Sequence, residues 1–168
     1  MNFRLPQMED EALLRDYVQE HYANGERDIT ASHALTTMAY GEWVEKINRN
    51  AVQGVEGYGR SLVLLGFERE RLVGLLSVRY ELPQRLAESI GHIGYGVRPS
   101  ERRKGYATEM LKHALDICRQ RGLQRAIVGC FKDNTASEKT ILKCGGVFMC
   151  ESDNFVKGRL SRYFSFEF

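Results

Sequence analysis

A strand, a charged turn, a helix and a second strand, run together between residues 89 and 131, constrain this chain more than any other feature. Ser89 to Val97 is an apolar run that ends at Arg98-Pro99. Ser100-Glu101-Arg102-Arg103-Lys104 follows as a charged turn, and a helix opens after Gly105. Ala107, Met110, Leu111, Ala114, Leu115 and Cys118 recur at three and four residues and make one apolar face. Glu109, Lys112, Asp116 and Arg119 fill the other side, and Gly122 supplies a stop. Arg125 to Phe131 then reads as a buried strand. Strands joined through such a helix lie parallel, as a right-handed βαβ unit. The turn carries chemistry of its own. The first N–H groups of a helix have no partner within it, and the helix dipole favours negative charge there. Gly105 has no Cβ to keep an anion away, and Arg102, Arg103 and Lys104 add cations. This is a phosphate cradle in outline. The plainer reading is a solvated basic turn; the strand, proline and helix in this order favour the cradle.

The flanking sequence supplies more strands and helices. Residues 8–23 and 40–50 read as helices, the second with Trp43, Val44 and Ile47 on one side. A less regular stretch lies between them, and Gly54, Gly57 and Gly59 mark a loop. Ser61–Glu68 and Arg71–Tyr80 read as a hairpin about a polar turn, and 82–88 as a connection with one helical turn. Thr135-Ala136-Ser137-Glu138 fits a capping box, opening a helix that stops at Gly145-Gly146. Runs around Val147–Ser152 and Leu160–Phe168 read as a closing antiparallel hairpin.

Composition excludes several classes. The chain has 168 residues, enough for one compact domain, with 24 basic and 22 acidic residues, so no strongly basic nucleic-acid surface is expected. No stretch is long and apolar enough to span a bilayer, and Met1 to Pro6 lacks the apolar centre of a secretion signal. A soluble cytoplasmic protein is the expectation. Cys118, Cys130, Cys144 and Cys150 show no metal-ligand spacing, and Cys118 and Cys144 fall on apolar stripes, so neither a metal site nor a disulfide framework is expected.

Arg102-x-x-Gly105-x-Ala107 resembles the pyrophosphate loop of the GNAT superfamily of N-acetyltransferases, Gln/Arg-x-x-Gly-x-Gly/Ala. Asn134-x-x-Ser137 and the Gly145-Gly146-Val147-Phe148 stop follow in the order and spacing of that family. The run from Arg79 to Leu82, with Gly91 to Tyr95 and Arg162-Tyr163-Phe164, is similar to a bacterial branch of predicted acetyltransferases. The resemblance covers residues 61–148. It implies an α+β fold: a mostly antiparallel sheet of six to seven strands, one parallel βαβ pair splayed at the coenzyme, and about four helices. Residues 1–60 would form the acceptor side, 61–148 the acetyl-CoA-binding core and 149–168 the C-terminal hairpin of a single domain. The implied cofactor is acetyl-CoA, as co-substrate. Backbone N–H groups of Arg103, Lys104, Gly105, Tyr106, Ala107 and Thr108 would hold the pyrophosphate, with Arg102 at the first motif position. Main-chain groups of Tyr95 and Val97 would pair with the pantetheine, and the Val97 N–H would polarise the thioester carbonyl. Asn134 would reach the pantetheine through its amide, with Ser137 beside it.

The implied reaction is direct attack of a primary amine, of a small molecule or peptide, on the thioester. The amine must lose a proton first. His92, on the strand of Tyr95 and Val97, is the candidate base, against a structural histidine; Glu88 is a weaker candidate. Alternation sets His92, Gly94 and Gly96 on one face, where the glycines would admit a ligand or a closely packed neighbour. His21, His33 and His113 have no supporting context, and His113 is expected to be exposed. Many GNAT enzymes carry a tyrosine, the acid for the leaving thiolate, where this chain has Ile141; Tyr163 is the candidate substitute, against a core tyrosine. Two other readings stand beside the enzyme: a non-catalytic acyl-CoA sensor, and a nucleic-acid-binding domain using Arg98, Arg102, Arg103 and Lys104. No nucleic-acid or membrane partner is expected, and the chain would be a monomer or homodimer.

Overall fold

The computed structural model describes residues 1–168. Seven strands form one sheet: β1 (Asn2–Arg4), β2 (Ser61–Glu68), β3 (Arg71–Arg79), β4 (Ile93–Val97), β5 (Arg125–Phe131), β6 (Val147–Val156) and β7 (Arg159–Glu167). Their order is β1-β2-β3-β4-β5-β7-β6. All neighbours are antiparallel except β4 and β5, whose parallel pairing is confined to Ile93 and Val128. Five helices accompany the sheet: α1 (Glu11–Ala23), α2 (Tyr40–Val52), α3 (Gln84–Ile90), α4 (Tyr106–Gln120) and α5 (Thr135–Lys143). None is long and apolar enough to cross a membrane.

The sheet has a core on each face, as strand alternation demands. Leu76 and Val78 of β3 pack with Met110, Leu111, Ala114 and Cys118 of α4 and Ile141 of α5. Leu75 of the same strand turns the other way, onto Leu14 and Tyr17 of α1 and Trp43 and Ile47 of α2. The α4 stripe read from the sequence is thus the buried one. It sits close: a Cβ on Gly74 of β3 would lie 2.6 Å from the Gly96 carbonyl oxygen and 2.9 Å from Met110. Only glycine lets α4 and β4 converge there.

Several boundaries depart from the sequence reading. The run from Ser89 to Val97 is not one strand, because Ser89 and Ile90 complete α3 and Gly91, at φ +71°, turns the chain into β4. The helix read over 8–23 begins as a 3-10 turn at Met8–Asp10. The N-cap of α5 is Asn134 and not Thr135: its Oδ1 accepts from the Ser137 N–H at 3.1 Å. Strand β1 is not among the strands read from the sequence and completes the upper end of the six to seven expected, and the helical turn read within 82–88 is α3, a fifth helix. Gly94 and Gly96 admit the protein itself, with Thr30 and the Tyr17 hydroxyl lying over them. His113 is half-buried, its ring stacked on Phe3 at 4.2 Å.

Candidate active site

The site forms where β4 and β5 stop pairing. The Arg79 N–H donates to the His92 carbonyl, and the Arg98 N–H to the Val73 carbonyl, each at 2.8 Å. Antiparallel alternation then turns the main-chain groups of the even residues of β4 toward β3, and those of Tyr95 and Val97 toward β5. Beyond Ile93 the two strands diverge, so these groups face a gap. The Val97 carbonyl accepts from Arg102 Nε at 3.2 Å, which leaves its N–H as the group free to act in the gap.

The charged turn closes one end of that gap. A short 3-10 turn, Pro99–Glu101, leads to Arg103 at φ +64° and Gly105 at φ +89°. The N–H groups of residues 103–107 donate to no protein acceptor. They form a concave array at the positive end of α4, which suits a diphosphate. Thr108 does not belong to it, because its N–H closes the first helical turn on the Gly105 carbonyl at 3.0 Å. No protein atom lies within 4 Å of a Cβ built on Gly105.

The side-chain cations of the turn are mostly committed elsewhere. Arg102 pairs with both oxygens of Glu26 at 2.6 Å, and Lys104 with Glu101 at 2.7 Å. The Arg102 guanidinium holds the Glu26 carboxyl down to about 2, against the opposing effect of burial. Arg103 alone of the three has no carboxylate partner. Arg98 is buried and bound by Asp16 at 2.6 Å and Glu20 at 2.9 Å, so it offers nothing to a polyanion. The turn therefore works through its main chain, and its side chains tie α1 and the segment after it to the cradle.

A cavity of about 610 Å³ opens beside the gap. Tyr95, Asn134 and Ser137 line one side, Arg79, Ser89 and Tyr163 another, and the segment from Arg27 to Thr37 the third. The Tyr95 hydroxyl lies 2.9 Å from Ser137 Oγ, and burial pushes its phenol above the ordinary range. Asn134 Oδ1 is spent on its cap, leaving the amide nitrogen to face the cavity.

Neither catalytic candidate from the sequence is disposed for its role. His92 does not line the cavity. Its Nδ1 accepts from the Ile127 N–H at 2.9 Å, and desolvation lowers it to about 4. A ring whose acceptor nitrogen is occupied, and which stays neutral through the physiological range, is a poor base. Tyr163 lines the cavity with its ring over Gly129, but its hydroxyl donates to the Ser89 carbonyl at 2.5 Å. Glu88 is exposed on α3, outside the cavity. Ile141 is fully buried in the core, so the usual tyrosine position points away from any substrate.

The sequence reading missed the segment from Arg27 to Thr37, and Arg79. Ala31, His33 and Ala34 all have positive φ (65°, 47° and 72°) without being glycine. Such conformations cost of order 1–3 kcal/mol each and gather at functional sites. No residue type in the segment announces them. Arg79 did leave a signal: a cation closing an otherwise apolar strand.

A family model for an acetyltransferase (GNAT) domain matches residues 1–147. The chain belongs to the GNAT acetyltransferases. The matched family is one of acetyl-transferring enzymes. No curated protein matches it in sequence. Among solved structures it is similar to RimL, a ribosomal L7/L12 alpha-N-protein acetyltransferase in complex with coenzyme A, at 16% identity and TM-score 0.72 over 98% of this chain and 92% of that one. YncA from Salmonella typhimurium, with acetyl-CoA, gives 16% and 0.68 over 99% and 92%. The microcin C7 self-immunity acetyltransferase MccE, in complex with acetyl-CoA and AMP, gives 16% and 0.71 over 99% and 91%. At this identity the three establish the fold.

Proposed function

We propose that this GNAT protein acetylates a primary amine of a small molecule or peptide by direct attack on acetyl-CoA held between β4 and β5. The observation that carries the reading is the run of free N–H groups over residues 103–107, beside the gap faced by Tyr95 and Val97 and opening on the cavity. Acetyl-CoA supplies an activated acyl group on a thiol with pKa near 8.5, a good leaving group. The amides of 103–107 hold its diphosphate. The main chain of Tyr95 and the Asn134 amide nitrogen hold the pantetheine, and the Val97 N–H faces the charge that develops on the carbonyl oxygen. RimL's action on a protein α-amine supports an amine acceptor.

Proton handling differs from the sequence expectation. The Tyr95 hydroxyl, bridged to Ser137 in the cavity wall, is the proton source for the departing thiolate, in place of Tyr163. The base role of His92 passes to solvent. Asp28 is the only carboxylate among the lining residues, and it is exposed. The pH dependence of kcat/KM should therefore follow the acceptor amine, rising toward its pKa without an imidazole limb near 6–7.

A non-catalytic sensor is the second reading, favoured by the apolar Ile141 and the inward-turned His92. Release of free thiol from acetyl-CoA with a broad panel of amines separates the two. Tight acetyl-CoA binding with no release above the uncatalysed rate would refute the enzyme and leave the sensor.

A further inference from the structure

Five arginines of this chain are withdrawn from full exposure: Arg4, Arg60, Arg79, Arg98 and Arg162. Four of them meet a carboxylate: Arg4 with Asp10, Arg60 with Glu81, Arg98 with Asp16 and Glu20, and Arg162 with Glu138 and Glu151. Arg79 has none. The one hydrogen bond of its side chain is a long one, from Nη1 to the Gly91 carbonyl at 3.4 Å. Alternation along β3 turns Arg79 away from the α4 core that Val78 enters, and into the cavity wall. A guanidinium removed from water without a counter-ion is costly, and proteins rarely keep one without use for it.

The surroundings of Arg79 have the same polarity. His33, on the facing segment, has a buried Nε2 with no partner, and it lines the same cavity. Thr30 and Ser32 add hydroxyls beside it. Apart from the exposed Asp28, the lining about Arg79 thus holds groups able to donate, around a fixed positive charge.

We infer that the acceptor is an amino-carboxylate, an amino acid or short peptide whose carboxylate seats on Arg79 and His33 while its amine reaches the thioester in the gap between β4 and β5. The inference rests on the acetyl-transfer reading above and names the substrate class for that site. Arg79 acts as a specificity residue: a planar guanidinium takes a carboxylate by two parallel N–H bonds, which a carboxamide cannot replace.

The test compares 6-aminohexanoate, lysine and glycylglycine with the carboxamide of each. Thiol release from acetyl-CoA gives kcat/KM, and calorimetric titration in the presence of coenzyme A gives affinity without need of turnover. At least one acid should exceed its amide tenfold or more in both measurements, the scale of a hydrogen bond to a charged group. In Arg79→Gln that ratio should fall toward one, and Arg79→Lys should restore part of it. Acids and amides that bind and react alike would overturn the inference, as would a ratio that survives in Arg79→Gln. The acetyl-transfer reading fails differently, by showing no thiol release with any amine; the titrations still decide whether the carboxylate is bound.

Discussion

Gly105 is the residue on which the cradle can be tested most cleanly. Its φ of +89° lies in the left-handed region, so any other residue there is strained by about 1–2 kcal/mol. No protein atom would meet the new Cβ, so strain is the whole cost to the free protein. For a chain of this size that loss lowers Tm by roughly 2–8 °C. Gly122 is a matched control, with φ +85° and equally open space, at the far end of α4. The helix places it about 25 Å from Gly105 at 1.5 Å per residue. Gly105→Glu and Gly122→Glu should therefore lose similar stability when free. Acetyl-CoA at a hundredfold over its wild-type dissociation constant should stabilise the wild type and Gly122→Glu by about 2.7 kcal/mol. Gly105→Glu should gain almost nothing, because its side chain would stand among the amides of 103–107 and bring a carboxylate against a diphosphate. Differential scanning fluorimetry with and without acetyl-CoA reads all of these quantities. A full ligand-induced shift in Gly105→Glu would refute the cradle, whatever the variant's own stability.

The remaining predictions concern protons and packing. His92 is held near 4 by burial, against about 6.5 in the unfolded chain, so the native state refuses a proton that the unfolded state accepts. Its contribution is complete above about pH 6.5 and is lost as pH falls toward 4, by up to about 3 kcal/mol at the rate of 1.36 per pH unit. His92→Gln should flatten that part of a calorimetric Tm–pH curve and leave the pH–rate profile of acetyl transfer unmoved; a shifted profile would restore His92 as a base. Tyr95→Phe should lower kcat by roughly ten- to a hundredfold, at the low end of general acid catalysis because a thiolate leaves readily, with little change in KM for acetyl-CoA. An undiminished kcat in both Tyr95→Phe and Ser137→Ala would remove the pair as the proton source. Ile141→Tyr should yield no faster enzyme and should destabilise it by about 1–3 kcal/mol in urea unfolding, since position 141 is fully buried.

What could be read from the sequence divides along physical lines. The β4–α4–β5 unit was legible because its signals are local and redundant. Met110, Leu111 and Cys118 repeat at helical spacing, Gly105 and Gly122 bracket the helix, and β5 occupies Arg125–Phe131 as read. The cradle was legible for the same reason: amides at a helix start follow from the backbone alone. Roles that depend on where a side chain ends were not. Tyr163 sits on β7 as expected, and His92 lies one residue before β4. One ring accepts from Ile127 and the other hydroxyl donates to Ser89, partners 35 and 74 residues distant. Periodicity carries no information about such pairs. The N-cap of α5 shows the limit at short range, since Asn134 and Thr135 are both good caps and packing chose the first.

The acceptor wall was the least legible part, and the reason bears on what the enzyme selects. Residues 29–37 fold without helix or strand and hold alanines and a histidine at positive φ, conformations that only tertiary contacts can impose. Those contacts are visible: Thr30 over Gly94 and Gly96, and the Trp43 indole N–H donating to the Ser32 carbonyl at 2.8 Å. A segment pinned this way can change sequence freely as long as its anchors on β4 and α2 persist. The same scaffold can then present different donors to different amines. Arg79 stands apart from that freedom. It is fixed by the β3 ladder and not by the segment, so the charge it presents is built into the sheet, while His33 and the hydroxyls around it adjust the shape of what that charge receives.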